Sequence, residues 1–554
     1  MHELNERGLP HTRTTTLSRL GFVVYPGKIM TFTNELTYLR AIKEKKEGQF
    51  HSRYEKAMEQ QLQELKKPQT FYNVIGGKNV KVKKTFDKFS PNDRRMLLGK
   101  FPLGTKSDVN VAVKAAWKAF PEWSKWDHTA RVAIFERIVK LFREHKYELA
   151  AAMTLDNGKN RDEAVADVDE AIDFMSYYAD QVRTNDGYRI KLPAAYEDER
   201  SMSILRPYGV WAVVCPFNFP IAIGMGMSSA AMITGNTVVI KPSSLTPFAF
   251  NQAFQLLEEA GLPPGVANLI TGPGAEVGDA LVTHPDVEGV VFTGSKDVGF
   301  DIIRNSVRDY PRPVIAEMGS KNAVIVTSNA NVERAVDAVI KSAFSYSGQK
   351  CSACSRLLVD SGMRKEFESL LVEKASKLVV SNPAEKDCDL GPIIQDSKQK
   401  EYLACVAKGR KDGKVLCGGV QVKKGKLANG NYLSPTIISG LPDGHELIKK
   451  ELFMPILCTI GFKTLEEAVD IANASVYGLT GGIFSDDEVE VDYYFDHIRS
   501  GVAYANRRRG GSTGAMVGSQ SFVGWKASGS TGKGTGGLYY LQQFTREQTQ
   551  TVVI

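Results

Sequence analysis

The fold is decided by residues 210–217, VWAVVCPF, and by three similar runs that follow them: NTVVIKP (236–242), GVANLITG (265–272) and GVVFTGS (289–295). Each run is short, rich in β-branched residues and closed by Gly or Pro, and helical segments separate the runs. Strand and helix in this alternation predict a parallel sheet with crossover helices. A second round begins near residue 322 with AVIVTSN, a helical segment and RLLVD. We therefore predict two doubly wound α/β domains, the first ending near Glu317.

The rest of the chain is predicted to be largely helical, with one excursion. Glu35 to Leu65 and residues 130–180 place apolar side chains at helical spacing. The polar segment from Thr184 to Ser203 predicts a hairpin arm. The last segment, Tyr539 to Ile554, ends in QTVVI and could pair with that arm or with a neighbouring subunit.

Charge and hydropathy exclude several classes of protein. The formal charge of +7 is spread over 70 basic and 63 acidic side chains, which gives weak grounds for a nucleic-acid partner. The basic stretch from Lys78 to Lys88 lacks the interleaved aromatics of a stacking platform, so we interpret it as solvated surface. No run approaches the ~20 apolar residues of a membrane span, so no membrane partner is expected.

The first residues, MHELNERGLPHTRTTTLSRLGF, have no hydrophobic core of a secretory signal, and Glu3 and Glu6 argue against a transit peptide. We expect a cytoplasmic location, or the mitochondrial matrix if the source is eukaryotic. The seven cysteines do not form a disulfide framework. Only Cys351 and Cys354 have C-x-x-C spacing, with no further ligands nearby, so no metal site is expected. A redox motif and a nucleophile both remain open for this pair.

Two segments carry residues suited to covalent chemistry. In GQKCSACSR, Cys351 follows a Gly that ends a helical segment, and the neighbouring Lys350 could favour its thiolate. A lone cysteine is otherwise an inert small core residue. In VIAEMGSKN, Glu317 ends an apolar strand, where open α/β sheets place their active-site crevice. The alternative is a solvent-facing carboxylate at a strand end.

Two further segments suit oxyanion and nucleotide binding. Asn218, in VCPFNFP, could donate its amide to an oxyanion or cap a helix. VVFTGSKDVG is a strand followed by Gly294 and Ser295 at a helix start, where backbone N–H groups can hold pyrophosphate. Its spacing is not G-x-G-x-x-G, but Lys241 at the end of the strand in VVIKPSS strengthens the case for a nucleotide crevice.

Taken in order, CPFNFP, KPSS, FTGSKDVG, EMGSKN, GQKCS, KELFMPI and YGLTGGIFS resemble the aldehyde dehydrogenase superfamily, from about residue 100 to 550. The resemblance implies that Cys351 is the nucleophile and Glu317 the general base for thioester hydrolysis. It assigns oxyanion stabilisation to Asn218 and the backbone N–H of Cys351. The implied cofactor is NAD, with NADP possible, and its predicted contacts are Lys241, Ser244, Gly294, Ser295, Glu451 and Phe453.

The resemblance also implies an organisation. The fold class is α/β, with a Rossmann-like cofactor domain, a catalytic domain and a β-flap oligomerisation arm, and we expect a homo-oligomer built on a dimer. The division is 1–183 and 204–316 for the helical region and NAD-binding domain, 317–505 for the catalytic domain, and 184–203 and 530–554 for the flap. Ser244 stands where many relatives have a Glu that repels a 2′-phosphate. Ser320 and Met454 stand where the family usually has Gly, and QSFVG replaces QPFGG.

Three stretches narrow the resemblance: GQKCSACSR, DNGKNRDEAVADVDEAIDF (156–174), and STGAMVGSQSF (512–522) followed by GGLYYL. They look like the 1-pyrroline-5-carboxylate dehydrogenases, which oxidise glutamate γ-semialdehyde to glutamate. That resemblance assigns substrate binding to Ser352, Gly514 and Ala515 at the carboxylate and to Phe219 and Phe522 along the aliphatic chain. Glu163 is a candidate for the α-amino group. Alternatives are a dehydrogenase of succinic or aminoadipic semialdehyde, or an inactive scaffold of the same fold.

Overall fold

A computed structural model describes residues 32–67 and 69–554. The first residues of the chain, for which the sequence predicts neither a secretory signal nor a transit peptide, lie outside the described residues. Of the described helices, none is both long enough and apolar enough to cross a membrane.

The helices between residues 37 and 184 agree with the predicted helical region, and those beyond residue 220 alternate with strands. Several begin at a side-chain cap, as at Asp127, Ser295 and Asn331, whose oxygens accept from backbone N–H groups of the first turn. The helices are α1 (Thr37–Lys43), α2 (Glu47–Glu64), α3 (Lys106–Trp123), α4 (His128–Glu144), α5 (Lys146–Asn157), α6 (Arg161–Thr184), α7 (Pro220–Ile233), α8 (Pro247–Glu259), α9 (Asp279–Val282), α10 (Lys296–Arg304), α11 (Val332–Phe344), α12 (Arg364–Ser376), α13 (Ser397–Asp412), α14 (Glu446–Lys449), α15 (Leu465–Asn473) and α16 (Glu488–His497).

The β-branched runs of the sequence form strands, as predicted. The strands are β1 (Asn73–Ile75), β2 (Lys78–Val80), β3 (Thr85–Phe89), β4 (Leu97–Pro102), β5 (Arg189–Leu192), β6 (Glu199–Pro207), β7 (Val210–Val214), β8 (Thr237–Lys241), β9 (Ala267–Leu269), β10 (Gly289–Thr293), β11 (Val314–Glu317), β12 (Asn322–Val326), β13 (Cys354–Asp360), β14 (Lys414–Cys417), β15 (Thr436–Ser439), β16 (Ile456–Phe462), β17 (Tyr477–Gly478), β18 (Thr480–Phe484), β19 (Val502–Ala505), β20 (Trp525–Lys526) and β21 (Thr545–Val553).

The first large sheet has the order β11-β10-β7-β8-β9-β1-β2. Its strands from β7 to β11 pair in parallel, as predicted, because helices return the chain to the same edge each time. The short antiparallel strands β1 and β2, which the sequence analysis missed, extend the far edge. All five residues of β8 are buried, since helices cover both faces of the sheet.

The second large sheet has the order β14-β15-β16-β13-β12-β18-β19. All neighbouring strands in this order pair in parallel, except that β14 pairs antiparallel with β15. This arrangement confirms the predicted α/β class with two doubly wound sheets. The boundaries of the predicted domains remain a prediction. Lys88 departs from the solvated surface expected for its stretch, because its Nζ is buried and donates to the carbonyl of Asp156 at 2.9 Å.

A third sheet, β21-β6-β5, forms the predicted arm. Strands β5 and β6 are an antiparallel hairpin, and β21 pairs with β6 from Thr545 opposite Pro207 to Val553 opposite Glu199. Of the two partners that the sequence left open for the last segment, the arm of the same chain is the one observed. Apart from Thr545, the residues of β21 are exposed. The role of this sheet in oligomerisation remains a prediction.

Candidate active site

The first sheet brings five predicted residues to one edge. Lys241 ends β8 and Glu317 ends β11, while Gly294 and Ser295 follow β10 and Asn218 follows β7 by a short turn. The strands are parallel and in register, with Thr293 opposite Glu317. Their carboxyl ends therefore line a common crevice, which is where open α/β sheets bind ligands.

Cys351 enters this region on a constrained turn. Helix α11 ends at Phe344, and the next residues include Tyr346 and Ser347 with positive φ angles of 50° and 52°. Tyr346 donates from its hydroxyl to the carbonyl of Asn157 at 3.1 Å, and Ser347 donates to that of Gly391 at 2.6 Å. Strained backbone of this kind persists only where surrounding contacts hold it. The turn thereby fixes the chain just before Cys351, whose side chain is partly exposed.

Asn218 lies against the same turn. Its Nδ2 donates to the carbonyl of Gln349 at 3.1 Å, and an amide nitrogen has a second N–H to offer. Asn218 does not cap α7, the alternative left open by the sequence. At the start of that helix, Asp167 of α6 instead accepts from the backbone N–H of Ala222 at 2.7 Å. The amide is thus free to serve a group beside Cys351.

The carbonyl of Cys351 is held by two side chains that the sequence analysis did not assign to the site. Asn322 donates from Nδ2 to this carbonyl at 2.7 Å, and the hydroxyl of Ser320 donates to it as well. The backbone N–H of Ser320 also donates to Oε1 of Glu451 at 2.8 Å. At Gly319, a Cβ would lie 2.1 Å from Oε2 of Glu451, so only glycine allows this approach. Glu451 is therefore tied to the segment at Gly319 and Ser320, which holds the carbonyl of Cys351.

The charges around the thiol are acidic. Burial raises the pKa of Cys351 to about 12, and the nearby carboxylates Glu451, Glu317 and Glu170 raise it further. The expectation that Lys350 favours the thiolate is wrong. The ammonium of Lys350 instead forms an ion pair with Glu163 at 2.7 Å, and the pKa of the Cys351 thiol is raised rather than lowered.

Glu317 is buried in a setting that suits a proton acceptor. Its side chain is 9% exposed, and its Oε2 has no hydrogen-bond partner among residues 32–67 and 69–554. Burial raises the pKa of Glu317 well above its usual range, against a smaller lowering by a backbone hydrogen bond from Gly524. A carboxylate with a raised pKa takes a proton more readily at neutral pH.

The predicted cofactor residues lie along the crevice. Ser295 caps α10 by accepting from the N–H of Val298 at 3.4 Å, and Lys241 is buried, donating to the carbonyl of Pro242 at 3.3 Å. Ser244 donates to the carbonyl of Gly272 at 2.7 Å.

Phe453 is a further predicted cofactor residue. It adopts a positive φ of 58°, and its ring meets that of Phe217 edge-on, with centroids 5.7 Å apart. Phe217 belongs to the turn that carries Asn218, so this contact joins Phe453 to the catalytic side of the crevice.

The predicted substrate residues come from three segments. Ser352 is joined to the loop of Gly514 and Ala515, because the hydroxyl of Ser512 donates to the carbonyl of Ser352 at 3.0 Å. Phe219 immediately precedes α7, and Phe522 pairs through its backbone with Thr535.

One buried ion pair at the substrate side was missed. Lys159 and Asp167 are fully buried and 2.6 Å apart, and Nζ of Lys159 lies 3.4 Å from the centroid of the Phe219 ring. The spacing of Glu163, Asp167 and Glu170 on one face of α6 is the signal that predicts such a cluster.

A model of the aldehyde dehydrogenase family matches residues 79–550. The chain belongs to the aldehyde dehydrogenase family. It is 36% identical over 487 residues to a 1-pyrroline-5-carboxylate dehydrogenase of Bacillus cytotoxicus, a match that covers 87% of this chain and 92% of the relative. The family resemblance drawn from the motifs is thereby confirmed.

Several solved structures are similar to this chain. Proline utilization A (PutA) from Bdellovibrio bacteriovorus, inactivated by N-propargylglycine, has a TM-score of 0.89 at 34% identity. That match covers 96% of this chain but 54% of the other, so this chain spans about half the length of that protein. A 1-pyrroline-5-carboxylate dehydrogenase from Thermus with bound NAD has a TM-score of 0.87 at 32% identity, covering 96% and 99% of the two chains.

Two departures from this family's usual pattern have structural counterparts. Ser320 uses its hydroxyl to hold the carbonyl of Cys351, a contact that glycine cannot make. Met454 is buried in an apolar cluster with Leu452 and Ile456. Neither side chain removes a group that the aldehyde dehydrogenase reaction requires. All seven cysteines are free thiols, and in the described part of the chain no cluster of three or more His, Cys, Asp and Glu side chains is arranged for a metal ion.

Proposed function

We propose that this chain oxidises L-glutamate γ-semialdehyde to L-glutamate, with NAD as the hydride acceptor and Cys351 as the nucleophile. The observation that carries the proposal is the convergence of Cys351, Asn218 and Glu317 at one sheet edge, with the Asn218 amide bonded to the turn that bears the thiol. The named relatives support the choice of substrate, since they are 1-pyrroline-5-carboxylate dehydrogenases.

The substrate side supports a small amino acid aldehyde. Glu163 uses Oε1 for the ion pair with Lys350, and its buried Oε2 has no partner among the described residues. An α-amino group would satisfy that oxygen. Ser352, with the N–H groups of Gly514 and Ala515, would hold the α-carboxylate, while the rings of Phe219 and Phe522 would flank the aliphatic chain.

The residues of the crevice also fit a dinucleotide. Lys241 is a buried ammonium that donates one long hydrogen bond to the carbonyl of Pro242, which leaves donors for ribose hydroxyls. Gly294 and Ser295 open α10, whose first N–H groups suit pyrophosphate. Ser244, small and neutral, leaves room for a 2′-phosphate, so NADP is a second possible cofactor. When bound, the cofactor supplies the acceptor for the hydride that leaves the substrate carbon.

In the first step, the thiol of Cys351 gives its proton to water and the sulfur attacks the aldehyde carbon, which breaks the carbonyl π bond. The oxygen becomes an oxyanion. The second N–H of Asn218 Nδ2 and the backbone N–H of Cys351 stabilise that charge. Asn322 and Ser320 hold the carbonyl of Cys351, and so keep the nucleophile's backbone in position. After hydride loss, the substrate carbon is a thioester of Cys351.

In the second step, Glu317 takes a proton from water, and the resulting hydroxide attacks the thioester carbon. The carbon–sulfur bond breaks, glutamate leaves as a carboxylate and Cys351 recovers its thiol. The raised pKa of Glu317 suits this role, because the carboxylate that accepts the proton is a stronger base than one in water.

We also propose that the β21-β6-β5 sheet is an oligomerisation arm. Ile190, Val552 and Val553 are large apolar residues that it leaves exposed, and a second subunit would cover them. The cytoplasmic location stays a prediction.

The test is a panel of aldehydes with purified protein, read by absorbance of the reduced nicotinamide under NAD and NADP. The panel holds glutamate γ-semialdehyde, succinic semialdehyde, aminoadipic semialdehyde and butanal. We expect the highest kcat/KM with glutamate γ-semialdehyde. A higher kcat/KM for another semialdehyde would make that compound the proposed substrate instead. If no aldehyde of the panel leads to reduced nicotinamide, the inactive scaffold is the remaining alternative.

A further inference from the structure

Arg507 contacts the loop proposed to bind the substrate carboxylate, through the loop's carbonyl groups rather than its N–H groups. Its guanidinium donates to the carbonyls of Thr513 and Gly514. The two neighbouring arginines, Arg508 and Arg509, are exposed, whereas Arg507 is partly buried. The sequence leaves two interpretations for the triple arginine at 507–509, which are exposed surface or a preference for a more anionic substrate. One of the three, Arg507, has a defined structural contact.

These two carbonyls belong to the two peptide units whose N–H groups are proposed to bind the substrate carboxylate. The carbonyl of Thr513 shares a peptide unit with the N–H of Gly514, and the carbonyl of Gly514 shares one with the N–H of Ala515. In a planar trans peptide, the C=O and N–H bonds point in opposite directions. Since Arg507 binds both carbonyls, both N–H groups face away from it. Neither N–H donates to an acceptor within residues 32–67 and 69–554.

Arg507 is itself held in place. Its guanidinium lies 4.3 Å from the centroid of the Tyr504 ring, a distance typical of stacking. Tyr504 is buried and packs with Val523, and the ring of Phe522 packs against the same cluster. Gly514 adopts a φ of 81°, which glycine allows at no steric cost, so the loop can turn its peptides toward a common point. The guanidinium of Arg507 and the ring of Phe522, which is proposed to flank the substrate's aliphatic chain, thus pack against the same cluster.

The charge of Arg507 also acts on the peptides. A cation at the carbonyl end of a peptide is aligned with the peptide dipole, and it strengthens the N–H at the other end as a donor, as in any hydrogen-bonded chain. An anion bound by those N–H groups would be stabilised by a positive charge it does not touch.

We infer that Arg507 is a positioning residue that orients and polarises the Gly514 and Ala515 N–H groups to bind the substrate's α-carboxylate. The inference rests on the proposed function and adds to it a residue that sets specificity without touching the substrate. It predicts that the loss of Arg507 weakens carboxylate binding more than it weakens aldehyde chemistry.

The experiment compares Arg507→Gln and Arg507→Lys with the charge-matched controls Arg508→Gln and Arg509→Gln. Two quantities are measured: kcat/KM for glutamate γ-semialdehyde and for butanal, and the Kd of L-glutamate by calorimetry. Arg507→Gln should raise the KM for the semialdehyde and the Kd of L-glutamate about tenfold or more, and should change kcat/KM for butanal by less than about threefold. Arg507→Lys keeps the charge but not the two-carbonyl contact, so its losses should be intermediate.

The outcomes separate this inference from the proposed function. Wild-type protein that neither turns over the semialdehyde nor binds L-glutamate would overturn both. If the wild-type protein is active, three results would overturn the role of Arg507 alone. These are an unchanged Kd of L-glutamate in Arg507→Gln, equal losses on both aldehydes in that variant, and the same loss in Arg508→Gln. If Arg507→Gln does not fold, as judged by its thermal unfolding, the Arg507→Lys ratio of the two kcat/KM changes decides: a ratio near one refutes the inference.

Discussion

Gly319→Ala tests the link between Glu451 and the segment at Gly319 and Ser320, which holds the carbonyl of the nucleophile Cys351. An added Cβ would lie 2.1 Å from Oε2 of Glu451, whereas ordinary contact begins at 3.4 Å, so the carboxylate must retreat by roughly 1.3 Å. That retreat breaks its hydrogen bond from the N–H of Ser320, now 2.8 Å long. A hydrogen bond to a charged group contributes about 1.5–3 kcal/mol, which corresponds to about tenfold to hundredfold in an equilibrium constant.

If Glu451 binds the cofactor ribose, that loss should appear in the Kd and KM for NAD, with a smaller change in the rate at which Cys351 is alkylated by iodoacetamide. The assay is fluorescence titration with NADH together with initial rates at varied NAD. Gly48→Ala is the matched control, since a Cβ there meets no atom within 4 Å. A folded Gly319→Ala protein with wild-type affinity for NAD would refute the placement of Glu451 at the cofactor.

Three further predictions follow from the same geometry. Glu317→Gln should slow thioester hydrolysis more than hydride transfer, giving a burst of reduced nicotinamide and poor steady-state turnover in stopped-flow traces; equal loss in both phases would assign Glu317 to positioning. Ser352→Ala should lower kcat/KM for glutamate γ-semialdehyde about tenfold to hundredfold and leave butanal nearly unchanged, whereas equal damage to both would place Ser352 in support of Cys351. Burial raises the pKa of Glu317 well above its usual range and that of Cys351 to about 12, and both groups react in the deprotonated form, so kcat/KM should rise as the pH is raised from neutrality toward the pKa of Cys351; a flat or falling profile would contradict those assignments.

The sequence was sufficient for features that depend on local pattern. The β-branched runs ending at Lys241 and Glu317 predicted parallel strands, and parallel strands bring their carboxyl ends together without further information. The motif order then implied Cys351 as the nucleophile and Asn218 as an oxyanion donor, and in the structure the amide of Asn218 donates to the turn just before Cys351.

Features that depend on distant parts of the chain could not be predicted. Lys350 is beside Cys351 in sequence, yet its partner is Glu163 on α6, because the direction of a side chain depends on the tertiary fold. The hydroxyl of Ser320 meets the carbonyl of Cys351 across 31 positions of the sequence. No periodicity encodes either contact. The strands β1 and β2 are too short to show an alternating pattern.

The most direct test of the central claim is to trap the covalent intermediate. Glu317→Gln protein is mixed with NAD and glutamate γ-semialdehyde, quenched in acid within one turnover, and examined by intact-mass and peptide mass spectrometry. A glutamyl thioester on Cys351 is expected, with no adduct and no burst of reduced nicotinamide when Cys351 is also changed to Ala. An adduct on Cys354 instead, or nicotinamide reduction that persists without Cys351, would contradict the mechanism.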